Sequence, residues 1–125
     1  MNIPRELRYL KSHEWAKKEN NRVRVGISDH AQHEITDVVH VELPAVGKKV
    51  EQGKPCAVVE SVKSAFDIYA PVSGTVVEIN QDLASSPELV NQSPYDKGFF
   101  FVIEAGKPEE FDTLLPAGEY EKLIH

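Results

Sequence analysis

Apolar and polar residues alternate through Val23-Arg24-Val25-Gly26-Ile27, the period of a half-buried strand. Ser28-Asp29 supplies an N-cap, which predicts a short helix near 28–35. Asp37-Val38-Val39-His40-Val41-Glu42-Leu43 is rich in β-branched residues and Pro44 ends it, so it reads as a strand. Val46-Gly47, Gln52-Gly53 and Lys54-Pro55 punctuate the next stretch as turns. Ala57 to Glu60 and Phe66 to Ala70 are strands on either side of a polar break that holds Lys63. Gly74 to Asn80 is a further strand, and Gln81 to Lys97, with Pro87, Asn91, Pro94 and Asp96, is largely loop. Phe99 to Glu104 is the most apolar strand. Pro108 opens a helical pattern carrying Phe111, Leu114 and Leu115, which Pro116-Ala117-Gly118 breaks. Tyr120, Leu123 and Ile124 predict a final helical turn or two.

The pattern repeats. Asp37-Val38-Val39-His40-Val41-Glu42 resembles Thr75-Val76-Val77-Glu78-Ile79-Asn80, and Val58-Val59-Glu60 resembles Val102-Ile103-Glu104. Units of a few short strands cannot bury their apolar faces alone, but two packed together can. The expectation is a mainly β fold, a sandwich or flattened barrel of two pseudo-symmetric units. The short helix and the C-terminal helical segments are peripheral to it, and the Lys63 turn lies at one end.

Composition narrows the function classes. The 125 residues are the size of one domain, so 1–125 is read as a single domain. The formal net charge of −6 argues against nucleic acid, which attracts a basic face. Cys56 is the only cysteine and sits among Pro55, Ala57, Val58 and Val59, the setting of a buried structural thiol. A chain without disulfides fits a reducing compartment. The start lacks the long apolar core of a signal peptide, and no apolar run approaches membrane-spanning length. These features predict a soluble cytoplasmic protein with no membrane partner.

The polar break between the strands is Ser61-Val62-Lys63-Ser64, without the Asn-Gly or Asp-Gly of a tight hairpin. A lysine nucleophile needs burial or a cationic neighbour to lose its proton. Glu60 and Asp67 favour the charged amine instead, so Lys63 is a poor catalyst and a good acceptor for enzymatic acylation. His13-Glu14 lacks the second histidine of a zinc protease motif. His30 and His33, three apart on a helix, have no cysteine or further histidine near them in sequence, so they read as surface side chains and no metal site is expected. Nothing orders a base beside Ser61 or Ser64, so no triad is expected.

Val59-Glu60-Ser61-Val62-Lys63-Ser64, with Gly74 beyond it, resembles the lipoylation site of the glycine cleavage system H protein family. The likeness runs nearly end to end. It includes Ser12-His13-Glu14-Trp15, Val25-Gly26-Ile27-Ser28-Asp29-His30-Ala31-Gln32, Val41-Glu42-Leu43-Pro44, Ala70-Pro71-Val72-Ser73-Gly74 and Pro87-Glu88-Leu89-Val90-Asn91 with Ser93-Pro94-Tyr95. The resemblance implies a lipoyl/biotinyl-type barrel-sandwich hybrid fold. It implies lipoic acid joined by an amide to Lys63, and Glu60 and Gly74 as positions recognised by lipoate-attaching enzymes. Biotin-bearing domains usually flank the lysine with methionines, where this chain has Val62 and Ser64. Acyltransferase lipoyl domains usually precede long linkers and a catalytic domain, and this chain simply ends.

In that family the lipoyl group takes an aminomethyl unit from glycine decarboxylase (P-protein) to aminomethyltransferase (T-protein). Dihydrolipoamide dehydrogenase (L-protein) then reoxidises it. The resemblance therefore implies a carrier with no catalytic residues of its own. Ser12, Glu14 and Asp67 match positions of a cleft where the loaded arm folds back, and the acids could pair with a cationic cargo. The alternative is a lipoyl-relay protein passing lipoyl groups to 2-oxo acid dehydrogenase complexes. A third reading is an interaction module whose Lys63 is never modified. The chain departs from the family pattern at Glu34, where a histidine is frequent, at Thr36, where glycine usually ends the helix, at Ser64, where alanine commonly follows the lysine, and at Phe99, where tryptophan is usual.

Overall fold

Alternation in the sequence becomes pairing register in a computed structural model, which describes residues 1–124. In chain order the strands are β1 (Arg8–Tyr9), β2 (Glu14–Glu19), β3 (Arg22–Ile27), β4 (Val38–Glu42), β5 (Lys49–Val50), β6 (Pro55–Ser61), β7 (Ala65–Tyr69), β8 (Gly74–Ile79), β9 (Phe101–Ala105) and β10 (Leu115–Pro116). Helix α1 (Asp29–Ile35) follows β3, α2 (Asp82–Ser85) and α3 (Leu89–Gln92) follow β8, and α4 (Ala117–Leu123) follows β10. A 3-10 turn spans Pro108–Thr113.

The strands form two sheets, one ordered β10-β1-β2-β3-β9-β8-β5 and one ordered β4-β6-β7. Val25, Val76, Phe101 and Ile103 of the larger sheet and Val41, Val59 and Ile68 of the smaller one belong to a single buried cluster. The sandwich expectation therefore holds, without a closed barrel. The sequence repeat is also visible. Its matched strands form two antiparallel pairs, β4 with β6 and β8 with β9. Each pair breaks register once, between Val38 and His40 and between Val76 and Glu78. Cys56 is buried as expected. Desolvation pushes its thiol up to about 12, Glu14 adds to the rise and Lys48 opposes it, so the thiolate is suppressed.

Several elements differ from the pattern-based reading, each for a packing reason. The segment 81–97 is not simply loop, because its two apolar anchors, Leu83 and Val90, are buried and each centres a single helical turn. β2 was not evident in Ala16-Lys17-Lys18-Glu19, where charge masks the alternation. It is fixed by six paired residues on β3. The helical pattern opened by Pro108 is a 3-10 turn that ends before Leu115, and Leu115 joins β1 instead. Pro116-Ala117-Gly118 does not break the last helix but starts it: Pro116 is the N-cap and Gly118 lies inside α4. Tyr120 determines this, since it is fully buried and stacks on Tyr9 with ring centroids 4.4 Å apart.

That stack belongs to a second buried cluster of Leu7, Tyr9, Trp15, Ala117 and Tyr120. Trp15 donates its indole N–H to the Pro94 carbonyl at 2.9 Å, which ties the 81–97 segment to the larger sheet. Among the described residues no helix is long and apolar enough to cross a membrane.

Trp15 lies directly across from Gly26 in the β2–β3 register. A Cβ on Gly26 would stand 2.7 Å from the indole ring. The ring is buried and hydrogen-bonded, so it cannot move aside cheaply. Gly26→Ala is expected to lower stability by about 1–3 kcal/mol, the usual cost of overpacking. The check is the urea midpoint of the variant, which should fall while Gly118→Ala, with open space around its Cβ, does not.

Candidate functional site

Lys63 stands in the three-residue connection, Val62 to Ser64, that joins β6 to β7. The Ser61 hydroxyl takes the place of the missing glycine. It accepts hydrogen bonds from the backbone N–H of Lys63 at 3.1 Å and of Ser64 at 3.3 Å. The Ser61 N–H donates to the Ser64 carbonyl at 2.8 Å, and the Val62 N–H donates to the Asp37 carbonyl at 3.0 Å. A serine side chain that copies a backbone turn in this way fixes a turn without left-handed residues. Ser61 is therefore a site residue that the triad-oriented reading overlooked. Its signal was a small hydroxyl at the end of a strand, just ahead of a polar break.

The Lys63 side chain is exposed. Its amine does not ion-pair with Glu60 or Asp67, the neighbours expected from sequence, but donates to the Glu34 carbonyl at 3.1 Å. That carbonyl belongs to the last turn of α1, where the helix dipole favours a cation. The Glu60 side chain is half-buried and is held in no hydrogen bond or ion pair.

Beside the turn, α1 and β7 wall a cleft of about 520 Å³. Ala31, Ile35, Val59 and Ile68 give it an apolar lining, and Ser12, His13, His30, Glu34, Asp67 and Tyr69 give it polar groups. Glu34 thus lines the cleft with its side chain and receives the Lys63 amine at its backbone. Ser12 and Asp67 both face the same cavity. Glu14 lies behind it, only 1% exposed. Its carboxylate accepts from the Ser12 hydroxyl at 2.5 Å and from the Tyr69 N–H at 2.7 Å, so it joins β2 of one sheet to β7 of the other.

The surface reading of the histidines holds for His33, whose side chain is 65% exposed, but not for His30, at 19%. His13 also supplies the nearby histidine that sequence spacing did not show, its ring centroid 4.8 Å from that of His30. Among the described residues no three metal-ligating side chains converge.

Helix α1 ends at Thr36 with φ +65° and ψ −148°, a conformation that disfavours a β-branched residue. Thr36 thus ends the helix at a positive φ where the family pattern has glycine. Asn91 holds it there, donating to the Thr36 carbonyl at 2.8 Å and accepting from the Val38 N–H at 2.9 Å. Gly74 lies far along the chain, at the start of β8. A Cβ there would come within 2.0 Å of the Glu104 carbonyl oxygen, so strand packing alone demands glycine.

An exposed lysine on a locked turn thus stands beside an amphipathic cleft on a two-sheet sandwich. The family model described as glycine cleavage H-protein matches residues 7–125. A glycine cleavage system H protein of Endomicrobium trichonymphae is 56% identical over 124 residues, covering 99% of this chain and 100% of that one. That of Bacillus licheniformis is 49% identical over 124 residues, covering 99% and 98%. The crystal structure of a glycine cleavage system H protein from Mycobacterium marinum superposes with a TM-score of 0.89 at 34% identity, covering 96% of this chain and 97% of that one. The chain belongs to the glycine cleavage H-protein family, the lipoyl carriers of the glycine cleavage system.

Two predictions come from the cleft floor and the helix end. Burial pushes the Glu14 carboxyl up from an ordinary 4.5 to about 7, although the Ser12 and Tyr69 hydrogen bonds oppose the rise. The folded value lies above the unfolded one, so the native state binds the extra proton between them. Native stability should fall as pH climbs from about 4.5 to about 7 and level off above. Glu14→Gln, neutral throughout, should lose that fall of about 1–3 kcal/mol, each pKa unit being worth about 1.4 kcal/mol. Urea midpoints of both proteins at pH 5 and pH 8 measure it. Thr36→Gly should raise the urea midpoint by the equivalent of about 1 kcal/mol, because glycine adopts the Thr36 backbone conformation without strain.

Proposed function

We propose that this chain is the aminomethyl carrier between glycine decarboxylase and aminomethyltransferase, with lipoic acid attached through an amide to Lys63. Dihydrolipoamide dehydrogenase is the partner that reoxidises it. The observation that carries this reading is the exposed Lys63 amine on the Ser61-held turn, hydrogen-bonded to a residue that lines the cleft. An exposed amine on a rigid corner suits a ligase, and an apolar cleft with polar groups at its rim suits an alkyl arm with a polar end. The residues present therefore fit the group.

When bound, lipoate supplies a disulfide that accepts a carbon unit and is reduced in doing so. The chain's own residues do the rest. Ser61 fixes the root of the arm, which keeps its end at high effective concentration near a docked enzyme. The Glu34 carbonyl can keep one hydrogen bond after the amine becomes an amide, and so aims the root along α1. Ser12 and Asp67 at the rim receive the cationic end of the cargo, and the apolar wall limits water. Glu14, beneath Ser12, orients that hydroxyl. Glu60 and Gly74 serve the lipoate-attaching enzymes, Glu60 through an unengaged carboxylate and Gly74 by letting β8 pack against β9. The chain performs no catalysis itself. Its one suppressed thiol fits work in a reducing cytoplasm.

Intact-mass analysis tests the attachment. Protein incubated with lipoate and a lipoate ligase should gain one lipoyl group, and Lys63→Ala should gain none. Glu60→Gln should be lipoylated more slowly. Lipoylated protein should then support glycine decarboxylation in a mixture of the three partner enzymes. Lipoylation without that activity would indicate a relay, and no lipoylation would end the reading.

A further inference from the structure

We propose that Tyr120 of the C-terminal helix is a positioning residue for the cleft: a directed chain from Ser28 through Tyr120 to His13 fixes His13 in the tautomer that carries its proton on Nε2, so His13 offers the cleft no free basic nitrogen. The proposal rests on the carrier reading for its purpose, but not for its geometry.

Tyr120 Oη lies 2.6 Å from Ser28 Oγ and 2.8 Å from His13 Nδ1. Ser28 is fully buried, and its hydroxyl oxygen already accepts the Ala31 N–H at 3.1 Å as the cap of α1. Among the described residues, Tyr120 Oη is the only acceptor within reach of the Ser28 hydroxyl proton. If the chain ran the other way, that proton would be buried without a partner, which costs free energy. The Ser28 hydroxyl therefore donates to Tyr120, and Tyr120 donates to His13 Nδ1. The neutral ring then has its Nδ1 lone pair occupied and its proton on Nε2.

The ring is held to this arrangement. His13 sits at φ +82°, its N–H donates to the Leu10 carbonyl at 3.0 Å, and its carbonyl accepts the Ser28 N–H at 2.9 Å. Burial and the neighbouring His30 lower its pKa against the opposing pull of Glu34, so it stays neutral at neutral pH. The groups facing it are His30 and Glu34 from α1 and Tyr120 from α4.

The chemistry gives this a use. An aminomethyl cargo on sulfur is stable while its nitrogen is an ammonium. Loss of a proton frees the nitrogen lone pair, which forms a C=N bond as the C–S bond breaks with its electrons left on sulfur. Water then adds to the iminium, giving formaldehyde and ammonium, and the sulfur takes up the proton. A histidine with a free lone pair in the cleft would accept the first proton. A histidine that can only donate would not.

The test needs the full chain and two readouts. Ring 15N and 13C shifts of labelled histidine report the His13 tautomer in unmodified protein. The parent should show Nε2–H, and Tyr120→Phe, which keeps the stack on Tyr9, should show a mixture with Nδ1–H. The lipoylated chain, loaded by glycine decarboxylase from labelled glycine, reports cargo lifetime as released labelled formaldehyde. Tyr120→Phe should speed release by roughly threefold or more, the order expected for one lost hydrogen bond. His13→Asn in the Tyr120→Phe background should return the lifetime to that of the parent, because the imidazole that Tyr120 holds is gone while His30 is unchanged in both proteins. An Nδ1–H parent, an unchanged tautomer in Tyr120→Phe, unchanged release, or fast release not rescued by His13→Asn would each overturn the proposal. Absence of lipoylation would overturn the carrier reading instead, and the tautomer shifts would still decide the hydrogen-bond chain.

Discussion

The Ser61 hydroxyl is the contact on which the presentation of Lys63 depends. It accepts two turn N–H groups that no strand partner can reach, and so removes the need for a glycine in the loop. A glycine turn would satisfy the same geometry but give Lys63 more backbone freedom. Ser61 itself is buried at the end of β6, so the turn inherits the rigidity of the sheet. The neighbouring Val62 bond to Asp37 ties the same turn to the chain leaving α1. Turn, helix end and cleft are therefore one mechanical unit. Asn91, with two bonds to the 36–38 connection and one to Gln32 of α1, locks that unit to α3.

Glu14 does the corresponding work at the other end of the cleft. A carboxylate with 1% exposure is an unfavourable thing to bury, and an apolar residue there would remove the desolvation penalty. No apolar residue, however, could accept the Tyr69 N–H and orient the Ser12 hydroxyl at once. The Tyr69 N–H is at the end of β7, where the smaller sheet offers it no partner, so Glu14 fastens the two sheets at the place where the cleft would otherwise splay. The acid is thus placed to shape the pocket floor, while Asp67 and Glu34 line the cavity itself.

The fold could be read far ahead of the site. Alternation predicted β3, β-branched residues ended by proline predicted β4, and apolar runs between polar breaks predicted β6, β7 and β8. The repeated segments predicted two related units, and the structure pairs their matched strands as β4–β6 and β8–β9, each with one register break. What failed had long-range causes. β2 is a strand because β3 pairs with it, α2 and α3 form because Leu83 and Val90 must be covered, and α4 begins at a proline because Tyr120 needs Tyr9. Lys63 stood out by its setting between two strands. The residues around it did not, since His13 and His30 are far apart in sequence and Glu34 meets the lysine through a carbonyl that every residue has.

The two buried clusters divide the labour along the same line. The larger one holds the sheets together and needs only volume and hydrophobicity. The smaller one, Leu7, Tyr9, Trp15, Ala117 and Tyr120, carries three polar tips on its aromatic rings, and each tip has a fixed partner: Pro4 for Tyr9, Pro94 for Trp15, Ser28 and His13 for Tyr120. Phenylalanines would fill the same space. Hydroxyl and indole groups are worth burying there only if their directed bonds matter, since each would cost free energy if left unpaired. Those bonds tie the N-terminal segment to β1, the 81–97 segment to β2, and α4 to Ser28 at the start of α1 and to the His13 turn, and α1 and His13 line the cleft. The peripheral helices and loops are consequently braces for the pocket, and the cost of their polar contacts is met by apolar burial in the same cluster.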